Sequence, residues 1–148
     1  MKYFTGTLIG AIAGIICISL FEYLAMYLFP LPADIDMQDI NSISASMDSV
    51  PLINLIAVSI GFALASFIAG FVCVKIKTHN PFVPVLAVGI ILTIFGFINF
   101  LTIPHPLWMI VVGSATFIPM TLLGGKIGNH IESTITNTIP IIPFLDFK

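Results

Sequence analysis

Four apolar runs, each about as long as a helix needs to cross a hydrocarbon core, constrain this chain more than any other feature. They extend over Thr7 to Phe29, Leu52 to Val74, Val83 to Ile103 and Leu107 to Gly125. Peptide groups in lipid have no water to bond. A run of this length without strict alternation must therefore satisfy its backbone internally, as a helix. Prolines fall where such helices would stop or start: Pro30 and Pro32 after the first run, Pro51 before the second, Pro81 and Pro84 at the third, Pro104 and Pro106 before the fourth. Pro119 alone lies well inside a run, where it frees the carbonyl of Ala115 and predicts a kink, with Thr116 placed to compensate. The expected fold is an all-α integral membrane protein, a bundle of four transmembrane helices over residues 1–128 with a tail over 129–148. Composition fits that solvent. Charged residues make up 8% of the chain and hydrophobic ones 58%, whereas soluble domains carry about a quarter charged residues.

Lysine placement predicts the orientation. Lys2, Lys75, Lys77, Lys126 and Lys148 all fall on one side of a four-span chain, and the loop from Pro30 to Val50 has none. Cationic loops stay in the cytoplasm, so both termini are expected there. In that first outer loop Met37, Ile40, Ile43 and Met47 recur at helical spacing. Asp36 as N-cap and Asp39 in the first turn then predict a short amphipathic helix on the outer leaflet. The tail, broken by Pro140 and Pro143, reads either as an interfacial segment or as an unstructured end.

Helices in lipid associate through small residues. Gly6, Gly10 and Gly14 form two overlapping G-x-x-x-G steps, Gly61, Ala65 and Ala69 a similar stripe, and Gly89 and Gly96 share a face of the third span. These are the expected packing seams, within the chain or between copies.

Glu22 is the one acid well inside an apolar run, seven residues before its outer end and so roughly 10 Å deep. A charge at the bilayer centre costs on the order of 3 kcal/mol, less nearer the surface, so this carboxyl needs a partner or a proton. Two readings stay open: a proton-binding or cation-binding group, or a hydrogen-bonded lock within the bundle. Asn54, Asn99 and His105 lie at the same level by their distances from the span ends, and convergence of all four near the outer side is expected. Tyr23, Tyr27 and Trp108 fall near the outer boundary as interfacial anchors.

Several chemistries are excluded. Phosphate neutralisation needs clustered basic residues, and a net charge of −2 with no basic run argues against nucleic acid. Cys17 and Cys73 lack metal-binding or redox spacing. His79 and His130 fall on the opposite side from His105, so no histidine pair faces across the core to hold a haem. Gly124, Gly125 and Lys126 lack the rest of a phosphate loop. No cofactor or metal is expected, and no Ser/His/Asp set or carboxylate pair points to an enzyme.

At Glu22, Pro30, Pro32, Asn99 and the run Ile103, Pro104, His105, Pro106, Leu107, Trp108, the chain resembles a group of small, uncharacterised four-span bacterial inner-membrane proteins. The resemblance covers most of residues 5 to 126 and is most specific at the I-P-H-P-x-W turn. It implies an inner-membrane setting and the same hairpin arrangement, with no activity attached. The functional expectation is a binding or accessory protein for a lipid or a larger membrane complex, alone or as a homo-oligomer. The alternative is an oligomeric small-solute or proton-coupled transport component that uses Glu22.

Overall fold

The computed structural model describes residues 1–30, 39–76, 80–103 and 105–138. Its elements are α1 (Lys2–Leu28), a six-residue α2 (Ile40–Ala45) continued by a 3-10 turn over Met47–Ser49, α3 (Leu52–Cys73), α4 (Phe82–Thr102) and α5 (Leu107–Thr138). Four of them are long and apolar enough to cross a membrane, α5 by its portion Leu107–Ile131. The chain is a multi-pass, all-α membrane protein.

Local chemistry sets the helix starts. The Pro51 carbonyl accepts from the Asn54 amide at 2.9 Å to open α3. Asn80 Oδ1 accepts from the Phe82 amide at 3.1 Å and so caps α4. Pro84 is harmless there, since the first turn of a helix has no internal use for that N–H. α5 continues unbroken through Pro119. The Thr116 hydroxyl does not serve the carbonyl of Ala115; it donates to that of Val112.

The four long helices form a ring in which α1 packs on α3, α3 on α5, α5 on α4 and α4 on α1, with a lesser contact between α3 and α4 across the diagonal. Phe62, Val88, Leu92, Phe100, Met109 and Phe117 fill its centre. Phe62 stacks edge-on to Phe100 at 6.1 Å and tilted against Phe117 at 5.8 Å. Large apolar side chains also cover the outside, among them Ile16, Leu20, Ile60, Phe95 and Val111. The polar Ser66 and Thr121 are wholly buried, each donating to the carbonyl one turn back in its own helix. Apolar outside with small or self-satisfied polar groups inside is the distribution lipid imposes.

The glycine stripe of α1 faces α3. A Cβ at Gly10 would stand 2.8 Å from that of Cys73, and one at Gly14 2.9 Å from that of Ala69. Gly61 receives Phe21, Gly89 lies against Ile118, Gly96 lies under the Phe117 ring, and Ala65 is fully buried. The closest approach lies elsewhere. A Cβ at Gly70 would overlap the carbonyl oxygen of Thr121, and one at Gly124 that of Phe67, so α3 and α5 meet backbone to backbone.

This topology brings Lys2, Lys75 and Lys126 to one end. Gly6 faces Cys73 and Ile76, Gly128 faces Val74, and Thr7 Oγ1 donates to the Pro84 carbonyl at 3.4 Å. Lys77, Lys148 and His79 lie outside the described residues.

Two expectations about the connecting segments change. The helix after the first span is capped by Asp39, whose carboxylate accepts from the Asn41 amide at 2.9 Å; Asp36 and Met37 lie outside the described residues. The segment that follows it packs onto the bundle core through Met47 and Val50. The fourth span, expected to end at Gly125, continues helically to Thr138, so the first half of the expected tail belongs to α5. Gly124, Gly125 and Gly128 do not break it, since each is pressed against α3 or α4.

Candidate binding site

At the end opposite the lysines, Glu22, Asn54, Asn99 and His105 line one cavity of about 160 Å³. α1 supplies Glu22, α3 Asn54 and α4 Asn99, while the turn into α5 supplies His105. Ile43, Met47 and Val50 of the short segment lie over it, and Met26, Leu55 and Met109 complete its apolar wall.

Asn54 is 4% exposed and spends its amide nitrogen on the last turn of α1, donating to the carbonyls of Phe29 at 2.8 Å and Ala25 at 3.3 Å. Carbonyl oxygens only accept, which orients the amide and leaves its Oδ1 as an acceptor. His105 Nδ1 lies 2.6 Å from the Ile103 carbonyl, so that nitrogen carries the proton and Nε2 of the neutral ring is left as an acceptor. The ring stands edge-on to Phe100 at 5.1 Å. Burial of the imidazole pushes its pKa below the ordinary value, partly offset by the bond to Ile103.

Glu22 and Asn99 differ from these two. Neither side chain has a hydrogen bond to any described residue, and both stand at the junction with a second cavity. That cavity, about 330 Å³, runs between α1 and α4 past Ser19, Ile18, Ile15, Gly96 and Phe95. A third of about 280 Å³, walled by Phe4, Leu8, Ala11, Ile12 and Ile91, shares Ile15 and Phe95 with the second. Set end to end, the two line a groove along the α1–α4 seam from Glu22 to Phe4, about 27 Å at 1.5 Å per residue. Ile15, Phe95 and Ile98 along it are also exposed on the outer face, so the groove opens laterally between the helices.

The groove was not anticipated from sequence, although Ile15, Ser19, Glu22 and Met26 recur at helical spacing and mark one face of α1. Tyr23 and Tyr27 are exposed at the cavity end. His130 is exposed beyond Lys126. Among the described residues no cluster of His, Cys, Asp or Glu is arranged to hold a metal. Comparison with known proteins finds no family model, curated sequence or solved structure that matches the chain.

Proposed function

We propose that this protein is a multi-pass binding protein of a bacterial inner membrane, with both termini cytoplasmic, that holds one amphiphilic molecule drawn from the bilayer. The polar end of that molecule occupies the outer cavity beside Glu22 and Asn99, and its chain lies in the groove between α1 and α4. One observation carries this reading: Glu22 and Asn99, polar side chains without a hydrogen bond to any described residue, line both the outer cavity and the apolar groove beside it. A small polar solute would leave the groove unused, and a simple hydrocarbon would leave Glu22 and Asn99 unsatisfied. The orientation rests on the cluster of lysines at the far end. Transport of a small solute has less support, because toward the lysine end the helices close on one another at Gly10 and Gly70.

Native mass spectrometry of the full chain, released gently from its membrane, tests the proposal. The expected result is a retained, stoichiometric lipid-like mass that is lost in Ile15→Trp, a change at an exposed position that fills the groove where its two parts join. A protein mass free of any such adduct, or retention unaffected by Ile15→Trp, would sink the reading.

A further inference from the structure

We infer that the occupant of the outer cavity carries a primary ammonium head group. The inference rests on the amphiphile reading above and concerns the chemistry of the polar end. Asn54 has committed its amide hydrogens to Phe29 and Ala25 and keeps only Oδ1. His105 has committed its Nδ1 proton to Ile103 and keeps only the Nε2 lone pair. Glu22 adds a carboxyl group, which a cation beside it would hold ionised. The sulfurs of Met26, Met47 and Met109 are weak acceptors. Among the described residues lining the cavity, the Asn99 amide is the only side chain with an N–H to offer as a matter of course, and the same amide also presents an oxygen. No described Lys lines it.

A phosphate or carboxylate placed here would set lone pairs against lone pairs and a negative charge beside Glu22, with no cation to offset either. A group with three N–H bonds and a positive charge meets the opposite situation: it can donate to Asn54 Oδ1, His105 Nε2 and Glu22, and Glu22 gains its counter-ion. Charge-assisted bonds of this kind are the strong ones in a low-dielectric site. The cavity, at about 160 Å³, suits a compact head. A trimethylated ammonium has no N–H to give and is a poor match.

Thermal unfolding and calorimetric titration of the delipidated full chain in detergent decide the matter, with dodecylamine, dodecanol, laurate, dodecyltrimethylammonium and ammonium chloride as probes. Dodecylamine, charged at pH 7, is expected to stabilise saturably and to bind at least about tenfold more tightly than the other three amphiphiles. Glu22→Gln, nearly the same size, should remove about that factor for the amine and leave dodecanol unchanged. Dodecanol or laurate binding as tightly as the amine overturns the ammonium assignment, and if Ile15→Trp abolishes that binding the amphiphile reading survives. Saturable binding by none of the four overturns both. Ammonium chloride matching dodecylamine at equal concentration keeps the head-group chemistry and overturns the bound chain. Should Glu22→Gln fail to fold, the ranking of probes on the unaltered chain still decides.

Discussion

At the lysine end, helices touch through backbone; at the opposite end they are held apart by side chains. Gly70 and Gly124 let α3 and α5 approach until carbonyl oxygens occupy the places where Cβ atoms would be; Gly128 continues that seam against Val74 and Phe71, and Gly125 faces Val85 of α4. Near the cavity the spacers are Phe21 against Gly61, Phe117 over Gly96 and Phe100 against Gly113, with one polar staple at Asn54. Backbone contact closes the α3–α5 seam itself, and the cavity of about 290 Å³ at this end lies beside it, lined by Val85, Leu122 and Lys126. Rings and long side chains leave irregular gaps, and these contain the unpartnered polar groups. The contrast sets a backbone-packed α3–α5 seam against an outer end spaced by side chains, and it can be broken by substitutions that act unequally on the two.

The largest effect is expected at the closed end. Gly124→Ala places a methyl group on the carbonyl of Phe67, which is backbone and cannot rotate away, so α3 and α5 must separate along the whole seam. A loss on the order of 3 kcal/mol or more is expected, read as a fall in unfolding midpoint and in the monodisperse fraction in detergent. Gly6→Ala is the control in the other helix pair: its new methyl lies 3.3 Å from the Cys73 carbonyl, a contact relieved by a few tenths of an ångström. Equal stability of the two variants would remove the claim that the α3–α5 seam is the rigid one.

A smaller loss is expected at the staple. Asn54→Leu keeps the volume and removes both donors, leaving the Phe29 carbonyl without its side-chain partner at the end of α1. The cost should be roughly 1 to 2 kcal/mol, the range of interhelical hydrogen bonds in membranes, measured by reversible denaturant unfolding in mixed micelles. Asn54→Asp retains the shape but cannot donate to two carbonyls, so it should be at least as damaging. Full stability of the Asp form would mean that shape, not donation, holds α1 to α3.

How much of this was legible depends on which dimension a residue pattern encodes. Depth along the membrane normal follows from counting residues at a fixed rise, and that is how Glu22, Asn54, Asn99 and His105 could be placed at one level before any contact was known. Lateral neighbours are not encoded that way. The order α1, α3, α5, α4 around the ring decides that Glu22 shares a groove with Asn99, and no spacing in either helix shows it. The end of α5 is hidden for a related reason: Gly124, Gly125 and Lys126 end the apolar run, and hydropathy marks where lipid ends, not where a helix does. Gly124 and Gly128 do stand at G-x-x-x-G spacing, but a span taken to stop at Gly125 hides the second of them. Asp39 outranked Asp36 as the cap because the short helix starts at Ile40, which lets Ile43 and Met47 turn onto the cavity.

The smallest effect concerns pH and separates the two ends without altering the packing. His105 sits in the turn between α4 and α5, and burial holds its folded-state pKa below the ordinary value. The fold therefore prefers the neutral ring, and its contribution to stability is fully present above the unfolded-state pKa of about 6.5. That contribution is lost as pH falls through the folded-state value, because the unfolded chain takes up the proton more readily. Glu22 is the one other titratable side chain among the described residues lining the same cavity, so the profile should be recorded in both the unaltered chain and Glu22→Gln. Unfolding midpoints between pH 8 and pH 5 should fall in the Glu22→Gln background, and less steeply once His105→Gln is added, whose amide carries no charge at either limit. Protonation at Nε2 also removes an acceptor from the cavity and adds a positive charge, so dodecylamine affinity should weaken over the same interval. A stability profile indifferent to His105, or an amine affinity that rises as the ring is protonated, would show that the open end is not governed by the acceptors it presents.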